Sequence, residues 1–127
     1  MRERLDTKRE FTFVKRAKSF VSAGRGVWVL IRTTPNMWVH LAALALVIAF
    51  GINLSISPPE WMFLVLAAGF VLAAEAFNTA IEIDMDLTSP DFHPYAKDTK
   101  DLAAGAVLIS AITAAIIGAL VFGPYIL

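Results

Sequence analysis

The chain has 127 residues, 57% of them hydrophobic and 17% charged, with no cysteine and with eleven basic side chains against eleven acidic ones. It is too short for two ordinary domains and too apolar for a soluble one, which must cover most of its surface with polar groups. Composition therefore selects a membrane protein and excludes disulfide and thiolate-metal chemistry, while the zero net charge conceals two signs segregated along the chain.

Residues 1–35 carry nine of the eleven Lys and Arg (Arg2, Arg4, Lys8, Arg9, Lys15, Arg16, Lys18, Arg25 and Arg32) against only Glu3, Asp6 and Glu10. Within 11–33, an advance of about 100° per residue gathers Phe13, Ala17, Phe20, Val21, Trp28 and Ile31 on one side. Lys15, Lys18, Ser19, Ser22 and Arg25 fall on the other. This predicts an amphipathic helix lying on a membrane surface, its basic face drawn to anionic headgroups. Gly24 and Gly26 weaken it in the middle, where a bend or break is expected.

A spanning helix needs about 20 mostly apolar residues to cross roughly 30 Å of hydrocarbon. Three stretches meet this: 37–56, free of Asp, Glu, Lys and Arg; 61–81, with Glu75 as its one acid; and 102–123, with none. The expected fold class is thus an all-α membrane protein, a surface helix followed by three transmembrane helices. Trp38 and Trp61 sit near span ends, where amphipathic rings favour the water boundary. Ser57, Pro58, Pro59 and Glu60 are expected to form the tight link between the first two spans, because Pro58–Pro59 cannot continue a helix. That link has no basic residue, so the positive-inside rule puts the N-terminus and segment 82–101 in the cytoplasm and the C-terminus on the far side. A cleaved signal peptide is not expected, since about 36 polar and amphipathic residues precede the first apolar run.

Glu75, Asn78, Glu82 and Asp86 stand at i, i+3, i+7 and i+11, within about 80° of one another on a helix. They make one polar stripe that starts inside the second span and runs to the cytoplasmic boundary; Asp84 falls on the opposite side. A carboxylate inside a span is costly to bury and is by default a functional candidate, whereas Glu82 and Asp86 alone would as readily mark a helix exit as a site, and their shared face with Glu75 favours the site. Segment 82–101 is acidic, with Glu82, Asp84, Asp86, Asp91, Asp98 and Asp101 against Lys97 and Lys100. Its part 87–97, with Pro90 and Pro94, reads as an irregular loop. Asp98 or Thr99 is the expected cap of the third span, which puts Lys100 and Asp101 in its first turn, Lys100 against the helix dipole. Either Lys100 serves a ligand there or it pairs with Asp86 or Glu82. His93, alone in the loop, has no metal-ligand spacing to His40.

Carboxylates, an amide and a lysine at a membrane surface suit phosphoryl transfer. Acids hold Mg²⁺ together with phosphate oxygens, a lysine neutralises phosphate charge, and a further carboxylate deprotonates the attacking hydroxyl of a lipid. No G-x-x-x-x-G-K-[ST] loop and no protein-kinase motif set occurs. From residue types alone, proton-coupled transport through Glu75 fits nearly as well.

EAFNTAIEIDMD (75–86), followed by SPDFHPYAKDTKDLAAGAVL (89–108), resembles the prokaryotic diacylglycerol kinase and undecaprenol kinase family. The pattern E-x-x-N-[ST]-A-I-E-x-x-x-D, a short His-containing loop, then A-K-D or T-K-D before A-A-G-A-V-L, is long and specific; the resemblance extends from about Phe13 to Phe122. It implies one membrane-embedded lipid kinase domain over 1–127, forming a homotrimer in the bacterial inner membrane. That enzyme would move the γ-phosphate of ATP onto a lipid hydroxyl with Mg²⁺, and no nucleic acid is expected as a partner. By the resemblance, Glu75 is the catalytic base and Glu82 a metal ligand. Asn78, Asp86, Lys100 and Asp101 surround nucleotide and metal, Asp91 to His93 contact ATP, and Lys15 lies near a basic position of the surface helix that meets nucleotide or substrate. A second metal-binding glutamate of the family falls on Thr34, six residues before His40, where a hydroxyl offers only a neutral ligand. Either water, Asp86 or a phosphate oxygen fills that gap, or the protein is slow or an inactive scaffold. The S-P-D-F-H-P-Y-A-K loop resembles the undecaprenol kinase branch more than the diacylglycerol kinase branch.

Shielding Glu75 from lipid calls for more than three helices, so an oligomer is expected. Small residues along the third span (Ala103, Ala104, Gly105, Ala111, Ala114, Ala115, Gly118, Ala119) suit close helix approach, within or between subunits.

Overall fold

In the computed structural model the chain is all helical: α1 Arg2–Thr33, α2 Met37–Asn53, α3 Pro58–Thr88 and α4 Pro94–Ile126. The structure describes residues 2–127, with side chains from residue 12 onward, so the basic side chains at 2–9 lie outside the described ones. Two compact units are present, Met1–Thr33 and Thr34–Leu127.

The first unit is α1. It begins before residue 11 and runs unbroken through Gly24 and Gly26, where a bend was expected. A glycine costs about 1 kcal/mol inside a helix, and two such costs are spread here over 32 residues. Phe13, Phe20 and Val21 are exposed, as are Lys15 and Lys18.

In the second unit α3 and α4 pack along one another, whereas α2 touches α3 only lightly. α3 has 31 residues and α4 has 33; at 1.5 Å per residue they are about 46 and 50 Å long, more than the roughly 30 Å of hydrocarbon. α2, with 17 residues, is about 26 Å long and falls short by itself. Two helices, and up to three, are therefore long and apolar enough to cross a membrane. Large apolar side chains stay uncovered along them, among them Phe63, Phe70 and Phe77 on α3 and Ile109, Ile112 and Ile116 on α4.

The α2–α3 link lies earlier than the sequence suggested, at residues 54–57. Pro58 and Pro59 do not lie in it; they open α3, because the missing proline N–H costs nothing in a first turn. Ser57 caps the helix, and its N–H donates to Glu60 Oε2 at 3.4 Å. The same carboxylate accepts from the Tyr125 hydroxyl at 2.8 Å, which ties the start of α3 to the end of α4. Ile56, Leu64 and Val121 are buried at this end, with Val47, Trp61, Ile117 and Phe122 packed against them. Trp61 is thus half-buried in the hairpin rather than simply floating at a boundary. Gly51 permits this, since a Cβ there would meet the Trp61 ring at 2.5 Å.

At the other end, the irregular loop expected at 87–97 shrinks to residues 89–93. α4 starts at Pro94, not after Asp98 or Thr99. His93 is the cap, its Nδ1 accepting from the Tyr95 N–H at 3.2 Å, and Pro94 supplies a pre-set first helical position. Thr99 instead donates to the Tyr95 carbonyl inside the helix. Lys100 consequently lies beyond the first turn, and the dipole argument for it fails.

Candidate active site

Because α3 is unbroken from Pro58 to Thr88, Glu75, Asn78, Glu82 and Asp86 share one face over about 16 Å of helix. Burial falls along this stripe. Glu75 is 9% exposed, Asn78 is half-buried, and Glu82 and Asp86 are open.

The inner end holds a contact that sequence reasoning missed. His40 Nε2 lies 2.8 Å from Glu75 Oε1, joining α2 to α3. A signal for it existed, since His40 is the one titratable residue of 37–56 and Glu75 the one acid of the following span. Two such groups in adjacent apolar helices satisfy each other more cheaply than either alone. Asn78 Oδ1, one turn along, is buried without a hydrogen-bond partner. Thr34 is 8% exposed, and its hydroxyl lies 3.4 Å from that of Thr79, the residue after Asn78.

At the outer end, Lys100 Nζ donates to Asp86 Oδ1 at 2.5 Å, so α4 is pinned to the stripe. That bond raises the Lys100 pKa above its ordinary 10.5. Lys97 is raised as well, by its hydrogen bond to Asp101. Asp101 is therefore engaged on its own helix. Asp91 and His93 lie in the exposed link; His93 spends Nδ1 on the α4 cap, its ring 5.5 Å from that of Tyr95. Among the described residues, no hydrogen bond or ion pair joins Asp91 or His93 to the stripe. Lys15 lies on α1, in the other unit, its carbonyl accepting from the Ser19 hydroxyl at 3.0 Å.

Below His40, an open apolar groove of about 240 Å³ runs between α2, α3 and α4, lined by Leu44, Val47, Ala67, Val71 and Ala114 among others. A polar head and an apolar trough of this kind suit a molecule with a hydroxyl and a hydrocarbon chain.

The donor set fits a hard cation carried by phosphates. Mg²⁺ commonly takes one or two carboxylates plus phosphate oxygens and water, so it needs no three-residue cage, and none exists among the described residues. The unpartnered Asn78 oxygen and the open Glu82 carboxylate lie on one face of α3, as such a ligand requires.

Comparison with known proteins then decides the kinship. The model of the prokaryotic diacylglycerol kinase family matches residues 21–122. The chain belongs to this family. It is 46% identical over 107 residues to the undecaprenol kinase of Bacillus subtilis, covering 84% of this chain and 87% of that protein. It is 36% identical over 110 residues to a diacylglycerol kinase of Synechocystis, covering 86% of this chain and 63% of the relative. A diacylglycerol kinase of Helicobacter pylori is 38% identical over 68 residues, about half of each chain. Among these members of the family, the undecaprenol kinase matches across most of its length and the diacylglycerol kinases across less.

Proposed function

We propose that the protein is a membrane lipid kinase that transfers the γ-phosphoryl group of ATP, with Mg²⁺, to the hydroxyl of undecaprenol, with diacylglycerol as the second acceptor. The observation that carries this reading is the graded α3 face, a buried Glu75 held by His40 at one end and open Glu82 and Asp86 at the other. Family membership and the wide match to an undecaprenol kinase support the reaction and the preferred acceptor.

Glu75, ionised, takes the proton of the lipid hydroxyl as its oxygen bonds to the γ-phosphorus and the bond to ADP breaks. Asn78, Asp86, Lys100 and Asp101 border the nucleotide, Lys100 offering positive charge to phosphate while Asp86 orients it. Asp91 and His93 extend this border from the 89–93 link. Glu82 would hold the metal, with the Asn78 amide oxygen and the neutral Thr34 hydroxyl as further donors. Bound Mg²⁺ neutralises charge on the phosphate oxygens during transfer. The groove below His40 would receive the first part of the lipid chain.

In this reading residues 1–127 form one kinase domain, with α1 on the cytoplasmic leaflet and three spans, the first completed by residues around α2. The N-terminus and the 82–101 segment face the bacterial cytoplasm, and the C-terminus faces away. A homotrimer covers the bare faces of α3 and α4.

The test is a reconstituted protein offered both lipids and γ-labelled ATP. Labelled undecaprenyl phosphate formed faster than phosphatidate is expected. Absence of label in both lipids, from a well-folded protein, would overturn the assignment.

A further inference from the structure

His40 is half-buried, hydrogen-bonded to a nearly buried carboxylate, and has no part in the chemistry set out above beyond that contact. We infer that His40 is a positioning residue for Glu75: its Nε2–H holds Oε1, fixes the direction of the carboxylate, and leaves Oε2 free for the acceptor hydroxyl. The inference rests on Glu75 as the proton acceptor. A base works only when one of its oxygens is aimed at the proton it takes, and a long glutamate side chain needs a partner to hold it there. The partner must leave the other oxygen unoccupied, and the single contact from His40 to Oε1 does so.

Among the described residues, no other side chain is hydrogen-bonded to Glu75. α2 carries no Asp, Glu, Lys or Arg and no second histidine. On α3 the nearest titratable residue is Glu82, two turns away and of the same sign. On α4 the charges are confined to Lys97, Asp98, Lys100 and Asp101; Lys97 is bonded to Asp101 and Lys100 to Asp86, and 102–123 has none. Asn78 and Thr79, about one turn along α3, are neutral, and a carboxylate only accepts, so the His40 Nε2 carries the hydrogen.

The experiment compares wild type, H40L and H40Q as full chains in bilayers. Glutamine keeps an N–H donor near the Nε2 position but cannot titrate, and it preserves polarity should H40L fail to fold. Two readouts are taken: steady-state kinetics, and the infrared carboxylate stretch of Glu75 without nucleotide, its band identified by loss in E75Q. H40L should lower kcat by about 10- to 100-fold with both KM values within about threefold, as expected for a group acting through the base. The Glu75 band should shift in H40L as the hydrogen bond to Oε1 is lost. H40Q should recover most of kcat and of the band position. An active wild type with an unmoved Glu75 band in H40L, or H40Q as impaired as H40L, overturns the positioning role alone. A band that shifts in H40L although the wild type transfers no phosphate supports the role and defeats the kinase reading alone.

Discussion

Replacing Glu75 with glutamine separates chemistry from folding at the centre of the site. The amide has the same shape, and its oxygen still accepts from His40 Nε2 at the position now 2.8 Å away. The substitution removes one charge from a side chain that is 9% exposed, so it relieves desolvation rather than adding to it. Thermal stability should stay level or rise. What is lost is the ability to take a proton, and a positioned general base is worth about 10²- to 10⁴-fold, or roughly 3–5 kcal/mol of barrier. Transfer of label from γ-labelled ATP to lipid should fall by that factor, while nucleotide affinity, set by groups further out on α3 and α4, should remain within about threefold. Turnover of E75Q within about threefold of wild type would refute Glu75 as the base and with it the chemical order of the stripe.

Three further outcomes follow from the same geometry. Thr34→Glu should raise Mg²⁺ affinity about tenfold or more, read by titrating activity with metal; unchanged affinity would place Thr34 beyond the metal's reach. In G51A, a Cβ 2.5 Å from the Trp61 ring should overpack the hairpin by about 1–3 kcal/mol, offset by about 1 kcal/mol of helix propensity. Denaturation in detergent should show the loss, and a more stable variant would contradict the packing. The Lys100 pKa is raised above 10.5 by Asp86, so the link contributes fully below 10.5 and is lost only as pH climbs through the higher folded value. The ratio of nucleotide affinities of wild type and K100M should therefore stay constant between about pH 7 and 10; a ratio that collapses within this range would show Lys100 deprotonating early.

Much of the arrangement was legible because it depends on helical period and hydropathy. The position of Glu75, Asn78, Glu82 and Asp86 on one face needed only the continuity of α3, which the structure supplies. The Asp86–Lys100 pair was one of two alternatives open for Lys100, and α3–α4 packing selects it. The helix ends were less legible. Proline reads as a breaker in sequence, yet Pro58, Pro59 and Pro94 all begin helices, because only the side of proline towards the preceding turn is forbidden. Glycine misled likewise at Gly24 and Gly26, where local propensity was too small to break a long helix. The His40–Glu75 contact lay out of reach for a different reason. It joins residues 35 positions apart across two helices, and no local spacing rule connects them. Only the cost of leaving either group unpaired in an apolar span pointed to it.

The central claim is that the outer face of α3 meets a metal-bound triphosphate while its buried end meets the lipid. Magnetic resonance on bilayer-embedded protein with labelled Asp and Glu carboxyls, titrated with ATP and paramagnetic Mn²⁺ in place of Mg²⁺, measures this directly. The account predicts that the Glu82 signal broadens first and that broadening requires ATP. Broadening spread evenly over the acidic side chains, or Glu82 untouched while other carboxyls respond, would contradict it.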